Sequence, residues 1–209
     1  MIIIKQADAF SQWRKKESLS VGFVPTMGAL HRGHLSLVKK SIAMCNKTVV
    51  SIFLNPTQFG PNEDFESYPK TIESDIRLLK SAGVDVLFLP NEKEMYSRVA
   101  SVQVPESPLF KKLEGKSRPH FFFGVTTIVA KLFNIINPSH AFFGKKDAQQ
   151  LIIVDWMIQK MKYSIKMIPV ETERDANGLA LSSRNQYLNG SQQKEASIIF
   201  KGLTKIKKN

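Results

Sequence analysis

Two hydrophobic rhythms alternate along the chain. Continuous apolar runs of strand length recur at "VGFVPT", "KTVVSIFLNP", "VDVLFLP", "HAFFG" and "SIKMIPVE". Between them, apolar residues return every three or four positions in "HLSLVKKSIAMC", "YPKTIESDIRLLKSAG", "GVTTIVAKLFNII" and "DAQQLIIVDWMIQKM". The first rhythm predicts buried strands and the second helices with one apolar face. Punctuation agrees: Asn55-Pro56 ends the second strand, Pro90 the third, and Gly83 stops a helix. Strand-helix-strand alternation predicts an α/β fold, a parallel sheet with helices on both faces. Such sheets bind ligands beyond the carboxyl ends of their strands. The chemically unusual residues fall there, after "GFVP", "SIFL" and "AFFG".

Composition narrows the classes. With 209 residues and 43% hydrophobic content, the chain has enough apolar mass for one domain plus a small appendage. No apolar run approaches the roughly 18 residues of a membrane helix. "MIIIKQADAF" lacks the features of a signal peptide. A single cysteine, Cys45, allows no intrachain disulfide and no thiol cluster for zinc. A cytoplasmic protein with no membrane partner is expected. The formal charge of +12 suits anionic substrates or a solvated basic surface. Lysines are scattered and no arginine-aromatic stripe stands ready to stack bases, so no nucleic-acid partner is expected.

Four segments carry candidate chemistry. In "PTMGALHRGH", Gly28 and Gly33 allow a tight turn and close backbone approach, and a helix starting near His34 aims its positive end at that turn. His31 and His34 are placed to donate to phosphate oxygens, or simply to cap the helix. In "NPTQF", Asn55 and Gln58 follow a strand. In "FFGKKDAQQL", Gly144 ends a strand, Lys145 and Lys146 add positive charge, Asp147 is placed to cap the next helix, and Gln150 lies on its first turn. In "GLALSSRN", two hydroxyls and a guanidinium follow a glycine, a composition suited to gripping phosphates. Each segment alone also reads as an ordinary turn, cap or polar loop.

Taken together and in order, "PTMGALHRGH", "SIFLNPTQFGPNEDFESYP", "VDVLFLP", "LEGKSRP", "FGKKDAQQL" and "GLALSSRNQYL" resemble the pantothenate synthetase family, ATP-dependent ligases that join pantoate to β-alanine. The resemblance covers residues 1 to about 200. It implies a Rossmann-like, doubly wound sheet of the nucleotidyl-transferase type, with a truncated C-terminal lid. Residues 1–176 would form the ATP- and pantoate-binding domain and 177–209 the start of the lid. It further implies that Met27, Gly28, Ala29, Leu30, His31, Arg32, Gly33 and His34 line the ATP site. Gly144, Lys145, Lys146, Asp147, Leu181, Ser182, Ser183 and Arg184 would complete that site. His31, His34 and Lys146 would be catalytic, with His34 as the acid. Gln58 and Gln150 would hold pantoate, and Gln58 would also meet β-alanine. ATP is the implied nucleotide substrate, Mg²⁺ its counter-ion with ligands unassigned, and a homodimer the implied assembly.

Three features depart from the family pattern. His120-Phe121-Phe122-Phe123-Gly124 replaces a glycine-histidine turn, with the expected glycine and histidine out of register and His120 displaced by one position from the family histidine. Glu173 stands where an apolar residue is usual, unfavourably near a nucleotide unless it points to solvent. After "GLALSSRN" a single helix is expected, "SQQKEASIIFKGLTKIKK", capped by Ser191. A short lid is expected to weaken ATP binding and to leak intermediate to water. Two other readings fit some residues: a nucleotidylyltransferase, which leaves "NPTQF" and "DAQQ" without a task, and a catalytically impaired nucleotide-binding remnant.

Overall fold

The apolar runs do become strands, and they lie side by side. The computed structural model describes residues 1–208; Asn209, the last residue of the expected lid segment, lies outside the described residues. Strands β1 (Ile2–Ile4), β2 (Val21–Thr26), β3 (Lys47–Ile52), β4 (Val86–Phe88), β5 (His140–Gly144) and β6 (Lys166–Val170) form one parallel sheet in the order β1-β4-β3-β2-β5-β6. Helices α1 (Ala7–Lys16), α5 (Phe121–Ile136) and α6 (Ala148–Lys160) cover one face, and α2 (Arg32–Met44) and α3 (Ile72–Ser81) the other.

Successive β3 side chains serve opposite faces, as pleating requires. Val49 packs with Phe133 and Val154 on one side, and Val50 with Leu37 and Leu79 on the other. Burial on both faces explains why these strands read as continuous apolar runs rather than alternating ones. The strand order reverses between β2 and β5: β3 and β4 lie to one side, β6 to the other. A crevice opens beyond the carboxyl ends at such a reversal.

Several elements differ from the sequence expectation. β1 and α1, which no pattern announced, add an edge strand beside β4, with Ile2 paired to Val86. Three residues are too few to display a period. Helix α5 starts at Phe121, so the aromatic cluster expected to replace a turn is its first turn. A short helix, α4 (Glu114–Ser117), precedes it. The C-terminal segment is two helices, α7 (Gly190–Ala196) and α8 (Ile198–Lys208). The cap of α7 is Asn189, which accepts from the Gln192 N–H, while Ser191 sits inside the helix and donates to Glu195. Asn189 wins because its carboxamide forms a reciprocal capping box with Gln192.

Candidate active site

The turn after β2 is bent by Gly28 and Ala29, at φ +88° and +50°. A non-glycine residue at positive φ needs support. Asp75, only 2% exposed on α3, supplies it: its carboxylate accepts the Ala29 and Leu30 N–H groups at 2.9 Å each, and the Thr71 hydroxyl at 3.2 Å. A Cβ on Gly28 would stand 3.3 Å from the same carboxylate. The turn is therefore folded around an acid on a helix 45 residues away.

Helix α2 begins at Arg32, with His31 as its cap. The Gly33 N–H donates to His31 Nδ1 at 3.1 Å, and the His31 N–H donates to His34 Nδ1 at 3.3 Å. Both Nδ1 atoms accept, so in the neutral rings both protons reside on Nε2. The rings lie 4.1 Å apart between centroids. Burial, then the nearby Lys146 charge, pushes the His31 pKa down. Burial, His31 and Lys146 together push His34 down to about 3. The pair thus stands as two neutral N–H donors. The first-turn amides expected to face a phosphate are partly engaged, since His31 takes up the Gly33, His34 and Leu35 N–H groups.

These side chains border a cavity of about 370 Å³ at the reversal of the sheet. Met27, His31, Gly33 and His34 form one wall; Gly144, Lys146, Asp147 and Gln150 a second; Leu181, Ser182, Ser183 and Arg184 a third; and Gln58 closes the fourth side. A second recess of about 160 Å³ adjoins it, lined by Val125, Ile128, Val129 and Leu132 and sharing Met27, His34, Gln58 and Gln150 with the cavity. Most of the expected site residues therefore converge although they come from four separate loops.

Five do not reach this cavity. Gly28 and Ala29 border a separate 210 Å³ pocket beside Asp75, and the Ala29 carbonyl receives the Ser183 hydroxyl at 3.0 Å. Leu30 packs into the α2–α3 core. Arg32 is exposed on the first turn of α2. Lys145 pairs with Glu171 instead of turning inward beside Lys146. Asp147 precedes α6 without a side-chain cap bond, because its carboxylate pairs with Lys146 at 3.0 Å.

Arg184 is not free either. It grips Asp64 with two bonds, Nε to Oδ2 at 2.8 Å and Nη2 to Oδ1 at 2.6 Å, and Tyr187 adds a third contact to Oδ2. These donors hold the Asp64 carboxyl below its usual range. Arg118 makes a similar fork on Glu63, bonds the Gln58 carbonyl at 2.9 Å, and lies 3.9 Å over the Phe121 ring. Phe121 lines the cavity, whereas His120 is exposed and does not. His120 therefore stands outside the cavity lining. Glu173 borders the cavity but is exposed, and its backbone carbonyl accepts the Leu181 N–H.

The pantoate–β-alanine ligase family model matches residues 2–209. The chain belongs to that family. It is 48% identical over 204 residues to the pantothenate synthetase of Oceanobacillus iheyensis, an alignment covering 98% of this chain and 72% of that one. The crystal structure of pantothenate synthetase from Thermus thermophilus superposes with a TM-score of 0.92 at 43% identity, covering 98% of this chain and 74% of that chain. The Francisella tularensis pantoate–β-alanine ligase, solved with β-γ ATP and β-alanine, gives 0.89 at 40% identity, with 96% and 78% covered.

Against this ligase family, the residues that motif reading missed are the supports. Asp75 props the turn, Arg118 and Tyr68 line the cavity, and Asp64 holds Arg184, which the motifs did name. A charged residue falling on the apolar stripe of a predicted helix was the one signal available for Asp75. The others act through partners remote in sequence.

Proposed function

We propose that this cavity carries out the reaction of its family, the ATP-dependent condensation of pantoate with β-alanine, with adenylation and acyl transfer at one site. Pantoate's carboxylate attacks the α-phosphorus of ATP and the bond to pyrophosphate breaks. The β-alanine amine then attacks the acyl carbon, and AMP leaves with the bonding electrons. Both steps are governed by positioning and charge stabilisation.

The observation that carries this reading is the union of a donor-rich cleft with an apolar recess that shares two glutamines. Val125, Val129 and Leu132 would receive pantoate's methyl groups, while Gln58 and Gln150 orient its carboxylate. Neutral amides suit this task, since an arginine fork would bind the carboxylate tightly in the ground state and blunt it as a nucleophile. Gln58, which lines both cleft and recess, would also meet β-alanine. His31, His34, Lys146, Ser182, Ser183 and Arg184 would surround the triphosphate, with Met27, Gly33, Gly144, Asp147 and Leu181 completing the nucleotide walls. Gly28, Ala29 and Leu30 would act by shaping the turn. With its pKa near 3 in the ligand-free chain, His34 would serve as a neutral Nε2–H donor rather than as a resident acid.

Among the described residues no group of three His, Cys, Asp or Glu side chains converges to hold a metal. That donor set suits a Mg²⁺ that arrives on the nucleotide phosphates and keeps several waters, with Asp147 one of four carboxylates lining the cleft, beside Glu114, Glu171 and Glu173. Bound there, it would neutralise charge on the departing pyrophosphate.

In this reading residues 1–176 form the body and 177 onward the lid, latched by Ser183 to Ala29 and by Arg184 to Asp64. The family resemblance supports a cytoplasmic homodimer, which light scattering of the purified chain would test. The decisive assay for function is AMP release from ATP with pantoate, with and without β-alanine. Release requiring both substrates supports the ligase. Pyrophosphate formed with pantoate alone, with little transfer, would point to a leaking intermediate. ATP binding without turnover would leave only a nucleotide-binding remnant.

A further inference from the structure

Behind Gln58 lies a hydrogen-bonded chain that ends on a residue outside the cavity. Asn55 is 0% exposed. Its Nδ2 donates to the Gly124 carbonyl at 3.1 Å and to Gln58 Oε1 at 3.0 Å. Its Oδ1 receives the Tyr96 hydroxyl at 2.5 Å and the Thr57 hydroxyl at 3.1 Å. A main-chain carbonyl only accepts, so Gly124 dictates which end of the Asn55 carboxamide faces it. The two hydroxyls satisfy the other end. With Asn55 oriented, its second N–H must meet an acceptor, which makes Gln58 turn Oε1 inward and Nε2 outward.

Tyr96 is itself held from behind. It sits on a π-helical turn, Glu94–Arg98, and Lys131 of α5, 4% exposed, donates to the Met95 carbonyl of that turn at 2.6 Å. The Lys131 ammonium lies 4.8 Å from the Tyr96 ring centroid. Across the network, a Cβ on Gly124 would come within 2.3 Å of the Thr57 carbonyl, so α5 presses directly against the Gln58 loop. The orientation of one cavity amide is thus transmitted through two packed elements.

We propose that Tyr96 is a positioning residue of the ligase reaction: through Asn55 it selects the end of the Gln58 carboxamide that faces the cavity, so that the carboxylate of the acid substrate meets N–H donors. The inference rests on the assignment of Gln58 to pantoate made above. Reversing Gln58 would set its amide hydrogens against those of Asn55 and present a carbonyl oxygen to a carboxylate. Loss of the Tyr96 hydroxyl removes the shorter of the two bonds on Asn55 Oδ1 and loosens this selection.

The test compares the unmodified chain with Tyr96→Phe, and with Thr57→Val alone and in combination. Steady-state rates are measured with pantoate and ATP varied separately, and with the primary amide of pantoate as a competing ligand. In Tyr96→Phe the KM for pantoate should rise about tenfold, on the scale of one lost hydrogen bond, with the KM for ATP unchanged. The double variant should lose more. The amide analogue should gain on pantoate, because a reversed Gln58 accepts from its N–H₂ group. Equal weakening of pantoate and the amide, or of pantoate and ATP, would mean simple loosening of the fold and would overturn the proposal. Unchanged pantoate KM in both Tyr96→Phe and the double variant would overturn it too, while leaving the ligase reading intact. If Tyr96→Phe does not fold, Thr57→Val carries the same comparison through the other bond to Oδ1. Absence of any pantoate-dependent turnover in the unmodified chain would remove the ligase reading itself.

Discussion

The two ends of the cavity are built on opposite plans. At the recess, neutral amides are locked by buried partners: Gln58 by Asn55, and Asn55 by Gly124, Tyr96 and Thr57. At the end proposed for the triphosphate, charged groups stand near solvent and are paired with acids that a polyanion would displace: Lys146 with Asp147, and Arg184 with Asp64. A weak nucleophile needs donors whose direction is set beforehand, because reorienting them during reaction adds to the barrier. A triphosphate carries enough charge to exchange exposed ion pairs, each worth about 1 kcal/mol or less. One end is preorganised by burial and the other by exchange.

The comparison can be broken most severely at the histidine–lysine cluster. His34→Ala or Lys146→Ala should lower kcat/KM about a hundredfold, the scale of one lost preorganised donor, with circular dichroism and Tm near those of the unmodified chain. An unfolded variant would mean that the residue serves packing instead. Next in size is Gln150→Arg at the recess. Pantoate should bind more tightly while single-turnover adenylation slows by about tenfold, because a charged fork stabilises the ground-state carboxylate. Full adenylation rates in this variant would remove the case for neutral amides.

A smaller effect with opposite signs distinguishes exchange from fixed pairing. Asp64→Asn frees the Arg184 guanidinium, and the KM for ATP should fall about threefold. Arg184→Ala should raise it by a similar or larger factor, as expected for an exposed pair of modest strength. If both variants raise the KM alike, the pair is a structural latch rather than an exchangeable one. A separate effect, on stability rather than turnover, concerns pH. Because the folded His34 pKa is about 3 and its unfolded value about 6.5, the unfolded chain binds the extra proton between these limits. The His34 contribution is complete above pH 6.5 and is lost progressively as pH falls towards 3. Urea unfolding of His34→Gln across this range should show a shallower loss of stability.

The strands after which the loops diverge were legible because two-sided burial writes a continuous apolar run, and the helices because one-sided burial writes a period of 3.6. The first strand escaped because Ile2–Ile4 is short and paired at an edge. Motif order picked out His31, His34, Gln58, Lys146, Gln150 and the serine loop, all of which border the cavity. It also included Leu30, Arg32 and Lys145, which do not: a contiguous motif counts neighbours in sequence, whereas a helix start and a strand end send adjacent side chains in different directions.

By itself, then, the sequence determined the parallel α/β architecture, the position of ligand chemistry at the strand ends and the family. Local periodicity and turn residues encode the first two, and an ordered set of motifs the third. Only the tertiary structure decided how each group is held. Asp75 reaches the turn from 46 residues away, Tyr96 reaches Asn55 across 41, and Ser183 reaches the Ala29 carbonyl across 154. No local period records such pairings. They exist because sheet register and helix packing bring separate loops within hydrogen-bonding distance, where a buried donor or acceptor must find its partner. That requirement makes both imidazole Nδ1 atoms acceptors and turns the Gln58 carboxamide oxygen towards Asn55.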